Sequence, residues 1–534
     1  MTVRNTALVV ALAALALAAQ AQGFAKQAPV RLTILHTNDH HGHFWRNEAG
    51  EYGLAARKTL IDGIRAEVKA QGGHVLLLDA GDVNTGIPES DQLEGEPDFR
   101  GMSLLGYDAM AVGNHEFDKS PATLEQQRTN WSTFPWLSAN IYKGGARAFE
   151  PYRVFHFGTL RVAVMGLTTD DTAKLVDRKK FPDVSFRSPI EEARRVVPEL
   201  RKQADVVIAA THMGHYTDGR RGVNGPGDVE LARSVQGIDV IVGGHSHTAL
   251  CMKHENVRVE NYEPGAGCLP DHQNGAWILQ SGDLGRFVGR ADGEYRDGKF
   301  RLMQYSLLPV NLRKSGAAEG PRIAEDPAML ALLEPFQQRA AAGLSMAVAT
   351  TEGLFEGARP LVRARQTNLG MLITAAMVDK TKADIGLISS GGVRDSLPVG
   401  LVSYRDILKV QPFGNHIYVV ALTGAELMDY LQFAATRTPG SGALPQMYGV
   451  RLLVEQGRLR QVEVGGKPVE PAATYRLAVN SFVAKGGDGY PDLSIHPSAV
   501  NTGYVDAEVL REYAASRKVL RAGAFDPSGV LVRK

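Results

Sequence analysis

The sequence predicts an α/β layered fold in its first half, followed by a second and smaller unit. Short apolar runs with polar, glycine-rich ends recur from about Arg31 to Leu312, and their length and β-branched content are typical of buried strands. Helical patterns alternate with these runs, which indicates strands and helices stacked in layers. The length of 534 residues also exceeds one ordinary domain, since domains hold roughly 100–200 residues.

The composition excludes several classes of protein. Hydrophobic residues make up 44% of the chain and charged residues 22%, a balance that excludes intrinsic disorder and a polytopic membrane protein. Lys and Arg number 59 against 58 Asp and Glu, so there is no overall basic field that would bind a nucleic-acid polymer. No pattern specifies the oligomeric state, and a monomer is our expectation.

Residues 1–21 predict a cleaved signal peptide. Arg4 precedes an unbroken apolar run, and Ala19-Gln20-Ala21 fits the small-x-small cleavage pattern. The alternative is a transmembrane anchor, but the run from Ala7 to Ala19 has 13 residues, whereas a span needs roughly 18 or more. We therefore expect an exported, periplasmic protein without a membrane anchor.

Export decides how the two cysteines are interpreted. Cys251 and Cys268 lie 17 positions apart, and an oxidising compartment favours a disulfide between them. The alternative is a pair of buried thiols. A disulfide here would stabilise the fold by ~3 kcal/mol in the chain-entropy model.

The strands and helices of the first half follow in chain order. The strand candidates are Leu32–Leu35, Val75–Leu78, Met110–Val112, Val162–Leu167, Val206–Ala210 and Val240–Val242. The helix candidates among them are Leu54–Ala70 and Pro189–Gln203. The glycine-rich segment 316–320 ends the alternation, and Asp326-Pro327 then begins a helix that extends to about Gly343, with Asp as its cap. Farther on, Asn368 is predicted to cap another helix.

Five strands of the first half end in clusters of Asp, Asn and His. The clusters are His36–His43, Asp79–Asp82, Gly113–Asp118, Thr211–His215 and Gly243–His247. Because ligands bind beyond the carboxyl ends of strands in open α/β sheets, we expect these side chains at one edge. Imidazole with carboxylate suits Zn, Mn, Fe or Co better than Ca, and seven plausible ligands exceed one tetrahedral shell. The count favours two metal ions bridged by one carboxylate over a glycine-rich fold with solvated histidines.

The motifs Asp-x-His, Gly-Asp, Gly-Asn-His-Glu, an isolated His and Gly-His-x-His, in this order, resemble those of the calcineurin-type metallophosphoesterases, and within them the 5′-nucleotidase family. The resemblance covers essentially the whole chain after the signal peptide. It implies a four-layer α/β/β/α metallophosphoesterase sandwich with a dimetal centre at residues 30–315 and a hinge helix at 316–345. It implies a smaller α+β nucleotide-binding domain at 346–534.

The resemblance also assigns metal ligands. Those of one ion would be Asp39, His41, Asp82 and His247. Those of the other would be Asp82, Asn114, His212 and His245, so that Asp82 bridges the pair. Bacterial 5′-nucleotidases similar to this chain carry Gln at the position of His247, whereas the wider superfamily uses Gly-His-x-His. Zn, Mn or Co are the expected divalent ions, with Mg as an alternative.

His115 and Asp118 correspond to the catalytic dyad of the family. In such sites two ions about 4 Å apart share a hydroxide and clamp the phosphoryl oxygens of an in-line displacement. His115 would supply a further cation to the developing charge, and Asp118 would orient its ring. The alternative for His115 is a structural role beside the ligand Asn114.

The second half combines arginines with glycine-rich turns, which suits anionic oxygens. Taken alone, Phe413 and Phe482 would be assigned to the core, but the resemblance implies that they stack on both faces of a nucleotide base. The other implied substrate contacts are Arg359, Arg363, Arg394, Asn415 and Asp488. The active site would then lie between the two domains.

The implied function is that of a secreted, dimetal-dependent 5′-nucleotidase/UDP-sugar hydrolase, which cleaves phosphoester or phosphoanhydride bonds with a metal-bridged hydroxide. Its substrates would be nucleotides and nucleotide sugars. One alternative is a 2′,3′-cyclic-nucleotide phosphodiesterase/3′-nucleotidase, which shares both domains. An alternative of another class is a catalytically silent periplasmic nucleotide-binding protein. A phosphoesterase for proteins is disfavoured, since proteins need no pair of aromatic rings for a base.

Overall fold

The computed structural model describes residues 29–176, 180–217, 226–254, 256–259, 262–312, 322–341 and 343–534. The predicted signal peptide at 1–21 and the glycine-rich segment 316–320 lie outside these residues. Within the described ranges, no helix combines the length and the apolar character needed to cross a membrane.

The first half alternates strands and helices, as predicted. Its strands are β1 Val30–Thr37, β2 His74–Asp79, β3 Ala109–Ala111, β4 Trp136–Leu137, β5 Ile141–Lys143, β6 Ala146–Arg147, β7 Tyr152–Phe157, β8 Leu160–Thr168, β9 Val184–Phe186, β10 Val206–His212, β11 Val240–Gly243, β12 Met252–His254, β13 Val257–Arg258, β14 Asp271–Gln273, β15 Ala276–Leu279, β16 Phe287–Arg296 and β17 Lys299–Pro309. Its α-helices are Leu54–Ala70, Pro88–Asp91, Glu96–Leu105, Pro121–Gln126, Thr172–Leu175, Pro189–Gln203 and Asp228–Ser234. A single-turn 3₁₀ helix, His115–Phe117, and a π-helical turn, Gln127–Trp131, complete this half.

Two large sheets dominate this half. Their strand orders are β17-β16-β1-β2-β3-β4 and β14-β15-β11-β10-β8-β7. Alternate residues of a strand face opposite layers. Ile34 and Ile208 therefore lie in a buried cluster shared by the two sheets, whereas Leu35 and Val207 pack outward in clusters that include the helices. The predicted four-layer α/β/β/α sandwich is confirmed.

The disulfide prediction is also confirmed. Cys251 and Cys268 are bonded, with their Cα atoms 4.9 Å apart. Cys251 is fully buried and belongs to the cluster between the sheets. The bond therefore ties the 251–268 loop to the inner layer of the sandwich, and the alternative of two buried thiols is wrong.

A helix from Pro327 to Ala341 connects the two halves. Asp326 Oδ1 accepts a hydrogen bond from the Met329 amide at 2.8 Å, which is the predicted cap. Met329 and Leu333 are buried in the core of the first half, so this helix packs on the sandwich rather than standing free as a spacer.

The second half is a separate α+β unit. Its strands are β18 Ala347–Glu352, β19 Ile385–Ser389, β20 Gly400–Ser403, β21 His416–Thr423, β22 Pro445–Tyr448, β23 Val450–Glu455, β24 Arg458–Val464, β25 Lys467–Pro468, β26 Thr474–Asn480, β27 Val500–Val505, β28 Val519–Arg521 and β29 Leu531–Arg533. Its helices are Arg359–Val362, Asn368–Thr381, Tyr404–Val410, Gly424–Ala435, Ser481–Ala484 and Asp506–Arg517, with 3₁₀ turns at Ser390–Gly392, Gly487–Gly489 and Ala522–Ala524. The central sheet has the order β22-β19-β26-β21-β27.

The cap of the Asn368–Thr381 helix differs from the prediction by one residue. The Thr367 hydroxyl accepts from the Gly370 amide at 3.1 Å and so caps the helix. The Asn368 side chain instead accepts from the Glu356 amide at 2.7 Å. Thr and Asn are both good caps, and the long-range contact of Asn368 decides between them.

Candidate active site

The predicted ligands lie where strands of the two large sheets end. Asp39, Asp82 and Asn114 follow β1, β2 and β3, whereas His212 ends β10 and His245 follows β11. Five of the seven predicted ligands have a left-handed backbone conformation. The left-handed φ angles are 51° at Asp39, 51° at His41, 59° at Asp82, 73° at His245 and 56° at His247. Such conformations cost non-glycine residues on the order of 1–3 kcal/mol each and persist where surrounding contacts enforce them, often at functional sites.

Glycines allow these turns to approach one another closely. A Cβ on Gly81 would lie 2.6 Å from the Gly113 amide nitrogen, and one on Gly244 would lie 2.9 Å from the Ala80 carbonyl oxygen. Both contacts are with backbone, which cannot give way as a side chain can. The absence of a side chain at Gly81 and Gly244 therefore allows the ligand turns to pack together.

Asp39, His41 and His247 form the first cluster, with ligand atoms all within 4.8 Å of one another. His247 Nε2 lies 3.0 Å from His41 Nε2 and 3.1 Å from Asp39 Oδ1. Burial and the neighbouring His247 ring hold the pKa of His41 well below its usual value. A neutral imidazole beside a carboxylate suits a divalent transition-metal ion.

Backbone carbonyls orient two of the histidine rings. His41 Nδ1 lies 2.8 Å from the Thr85 carbonyl oxygen, and His212 Nδ1 lies 2.7 Å from that of Ala80. A carbonyl only accepts, so Nδ1 carries the hydrogen and Nε2 is the ring atom that faces the site and can bind a metal ion. This is how metal-binding histidines are usually held.

Asp82, His212 and His245 form the second cluster, again with ligand atoms within 4.8 Å of one another. The buried His212 Nε2 lies 2.9 Å from Asp82 Oδ2. Although burial opposes the charged form, the Asp82 carboxylate raises the pKa of His212 to about 10. The fourth predicted ligand, Asn114, places Oδ1 2.9 Å from His245 Nδ1. The position between Asp82 and His212 thus favours a positive charge, which a metal ion would supply. The bridging role of Asp82 stays a prediction.

His115 and Asp118 are in contact, as the predicted dyad requires. His115 Nδ1 lies 2.6 Å from Asp118 Oδ2, and the His115 ring meets the edge of His41 at 5.2 Å between centroids. Although burial opposes its protonation, the Asp118 and Asp82 carboxylates raise the pKa of His115. The His115 ring can therefore remain cationic beside the two clusters of candidate metal ligands.

Sequence reasoning gave no role to two acidic residues that organise the site. Glu116 accepts from the amides of Gly113 and Asp82 at 2.7 and 3.0 Å and so joins two ligand turns. It stands inside the Gly-Asn-His-Glu motif, which could have drawn attention to it. Asp283 Oδ2 lies 3.1 Å from His247 Nδ1. It follows β15, so the rule of polar residues at strand ends could have found it.

Three predicted substrate residues of the second half reach the two clusters of candidate metal ligands or the adjoining His115. The Phe413 ring stacks on His115 at 5.7 Å between centroids and 12° between planes. Arg394 Cζ lies 5.5 Å from the Phe413 centroid, and Arg359 Nη2 donates to the His245 carbonyl oxygen at 3.3 Å. The structure thus brings residues distant in sequence to one site between the two halves.

The other predicted substrate residues lie on neighbouring turns of the second half. Ser481, which precedes Phe482 in the chain, donates from Oγ to Asn415 Oδ1 at 3.0 Å. A Cβ on Gly391 would lie 3.5 Å from Asp488 Oδ2, and one on Gly442 would lie 3.6 Å from Arg363 Nη2. These turns adjoin one another, but their contacts with a base or ribose stay a prediction.

Comparison with known proteins agrees with this geometry. Residues 32–249 match the family model for calcineurin-like phosphoesterases, and residues 346–494 match that for the 5′-nucleotidase C-terminal domain. Protein UshA of Escherichia coli strain K12 is 51% identical over 514 residues, which cover 93% of each chain. The chain belongs to the 5′-nucleotidase family of calcineurin-like phosphoesterases.

Other members of the 5′-nucleotidase family match over similar lengths. A 5′-nucleotidase of Vibrio cholerae is 49% identical over 545 residues, covering 99% of this chain and 98% of the relative. Silent protein UshA(0) of Salmonella typhimurium is 51% identical over 97% of both chains. The crystal structure of a 5′-nucleotidase precursor from Thermus thermophilus superposes with a TM-score of 0.79 at 32% identity, covering 94% of this chain and 99% of that one. As a member of this family, the chain described here is a metal-dependent phosphoester hydrolase with two α/β domains.

Proposed function

We propose that this protein is a periplasmic 5′-nucleotidase that also hydrolyses UDP-sugars. The contact that supports this most is the stacking of Phe413 on His115, because it places an aromatic ring of the second domain beside the candidate catalytic histidine. A site of this kind can hold a base at one end and a phosphate at the other. Location in the periplasm follows from the signal-peptide pattern at residues 1–21.

In this proposal Asp39, His41, Asp82 and His247 hold one divalent ion, and Asp82, Asn114, His212 and His245 hold the other. When bound, the ions supply positive charge to the phosphoryl group and activate water for its attack. Zn, Mn and Co are the expected ions, since the ligands are imidazole, carboxylate and amide. The proposed domains are those predicted from the sequence: a catalytic domain at 30–315, a hinge at 316–345 and a nucleotide-binding domain at 346–534.

His115 acts from its Nε2 atom, which lies 3.9 Å from Asp82 Oδ2 and so faces the candidate centre. Because Asp118 holds the opposite nitrogen at 2.6 Å, the ring is both oriented and kept protonated. Nε2 can then donate to a phosphoryl oxygen as negative charge develops there. Neither role requires His115 to bind a metal.

Arg359 and Arg394 add fixed positive charge for phosphate oxygens, and Arg363 would extend this set. Burial and the neighbouring Arg359 lower the pKa of Arg394 to about 10, which still leaves it charged at neutral pH. Phe413 and Phe482 are proposed to stack on the base, with Asn415 on the base edge and Asp488 on the ribose hydroxyls. The positive charge is thus local, which reconciles an anionic substrate with a net charge of +1.

A substrate panel tests the activity. Metal-free protein is restored with Mn²⁺, Co²⁺, Zn²⁺ or Mg²⁺ and given AMP, UDP-glucose, 2′,3′-cyclic AMP and 4-nitrophenyl phosphate. Release of phosphate from AMP, but not hydrolysis of the cyclic nucleotide, is expected. The reverse pattern would assign the protein as a cyclic phosphodiesterase/3′-nucleotidase. Tight AMP binding without turnover in any metal would make it a silent binding protein, a test that matters because one relative is named silent.

Phe413→Ala tests the nucleotide grip. The KM for AMP should rise roughly tenfold or more, since stacking on a base is worth about 1–3 kcal/mol. The kcat/KM for 4-nitrophenyl phosphate, which carries no nucleobase, should change far less. Equal losses on both substrates would show that Phe413 shapes the metal centre rather than binding the base.

A further inference from the structure

An ion pair crosses between the two domains close to the candidate active site. Glu89 Oε1 lies 2.8 Å from Arg405 Nε. The Glu89 side chain is 7% exposed and that of Arg405 is 25% exposed, so the pair is shielded more than an ordinary surface pair. Neither residue belongs to the ligand, catalytic or substrate sets described above.

On the catalytic side, Glu89 is anchored to the loop that carries metal ligands. Its neighbour Ser90 donates from Oγ to Asp98 Oδ2 at 2.6 Å. Asp98 Oδ1 lies 2.9 Å from Nε2 of His40, the residue between two candidate ligands. Space is also tight here, since a Cβ on Gly42 would lie 2.7 Å from the Ser90 Cβ. These contacts fix the position of Glu89 relative to the ligand loop.

On the other side, Arg405 stands near the start of the Tyr404–Val410 helix, whose C-terminal end adjoins two proposed substrate residues. The Val410 carbonyl oxygen accepts from the Arg394 amide at 3.0 Å, and Phe413 follows three positions after the end of the helix. Phe413 is the residue that stacks on His115. The position of this one helix therefore sets where Arg394 and Phe413 stand.

We propose that the Glu89–Arg405 pair positions the nucleotide grip relative to the metal centre. The pair joins the ligand loop of one domain to the helix that holds the Arg394 backbone and precedes Phe413 in the other, and so it sets the distance between phosphate and base subsites. This inference rests on the proposed 5′-nucleotidase function. Hydrolysis of an aryl phosphate needs no such distance and should not depend on the pair.

A double-mutant cycle tests the proposal on the full-length, metal-loaded enzyme. Glu89→Gln and Arg405→Gln should each raise the KM for AMP about tenfold, the equivalent of about 1.4 kcal/mol, and the double variant should raise it no further. The kcat/KM for 4-nitrophenyl phosphate should stay within about twofold of wild type. Arg405→Lys keeps the charge and should recover most of the affinity.

Arg100→Gln is the matched control, since Arg100 pairs with Glu96 at 2.7 Å within a single helix. Arg100→Gln should leave the KM for AMP and the kcat/KM for 4-nitrophenyl phosphate unchanged. Metal content and Tm, measured for every variant, identify a general loss of structure. If Glu89→Gln loses metal, the positioning role is judged from Arg405→Gln and Arg405→Lys alone. If the wild type does not turn over AMP, the double-mutant cycle is measured instead with the Ki of AMP as an inhibitor of 4-nitrophenyl phosphate hydrolysis. Failure of the 5′-nucleotidase proposal can then be distinguished from failure of the positioning proposal. Multiplying effects in the double variant, or equal losses on both substrates, would overturn the positioning role.

Discussion

Asp283→Asn should weaken the metal site that contains His247. The Asp283 carboxylate lies 3.1 Å from His247 Nδ1, on the far side of the ring from Asp39. Although burial opposes ionisation, His247 and Arg286 hold the pKa of Asp283 below its usual value, so it is ionised at neutral pH. A carboxylate behind a ligating imidazole fixes the ring and increases its basicity.

The expected loss of metal affinity follows from the contact that each Asp283 variant removes. Asn at this position still offers an oxygen to Nδ1–H, so a hydrogen bond to a charged group becomes a neutral one. That difference is on the order of 1–1.5 kcal/mol, or about tenfold in Kd for the ion. Asp283→Ala removes the acceptor altogether, and partners of this kind are worth roughly 10- to 100-fold in metal affinity. The two variants should therefore form a graded series.

Calorimetric titration of metal-free protein with Mn²⁺ measures this effect without relying on activity. One of two binding steps should weaken in each Asp283 variant, while the other stays at the wild-type value. Asp271→Asn is the matched control, because Asp271 Oδ2 lies 2.8 Å from Nε2 of His215, a buried histidine outside the candidate ligand set. It should bind both ions normally.

Two outcomes would refute this reasoning. Wild-type affinity at both sites in Asp283→Ala would show that His247 is held without its carboxylate or does not bind metal. An equal loss in Asp271→Asn would show that any buried His–Asp pair affects the site through general stability. Thermal melts of the metal-free variants separate this second case from a local effect.

Three further predictions concern the dyad, the disulfide and the ligand turns. Asp118→Asn should lower kcat for AMP and move the alkaline limb of the kcat–pH profile to lower pH, because protonated His115 is the active form and is lost as pH rises through a pKa that Asp118 raises against burial; an unchanged profile would contradict this. Replacing Cys251 and Cys268 by Ser should lower the free energy of unfolding of the catalytic domain by ~3 kcal/mol in urea, and wild type under reducing conditions should show the same loss. Gly81→Ala should cost at least about 1 kcal/mol and reduce metal content, since its φ of 87° and the backbone contact leave no room for Cβ; a wild-type melt and metal content would count against the close packing of the ligand turns.

Much of the fold could be predicted because it depends on local pattern. The helix from Leu54 to Ala70 begins and ends where the pattern placed it, and the predicted strands lie in β1, β2, β3, β8, β10 and β11, with ends shifted by up to two residues. Strand ends are less certain because the ladder partners decide them. The cap at Thr367 instead of Asn368 has the same cause, since a distant contact with Glu356 occupies the asparagine.

The candidate site divides in the same way. The clusters of His, Asp and Asn could be found in the sequence because parallel strands bring their carboxyl ends to one edge of each sheet, although the division of these strands between two sheets was not predicted. The partners of those residues could not be found so directly, because Asp283 meets His247 only through the ordering of β11 and β15 in one sheet.

The sequence by itself thus predicted the α/β layering, the disulfide and the clusters of Asp, Asn and His at strand ends, because periodicity, composition and strand ends are properties of neighbouring residues. The four-layer order and the individual metal ligands were implied by the resemblance of the motifs to a known family. The tertiary structure alone decided the stacking of Phe413 on His115 and the pairing of Glu89 with Arg405. Both contacts join the two domains, and no local pattern records how two domains meet. The physical reason is that contacts between distant segments depend on the packing of every element that lies between them.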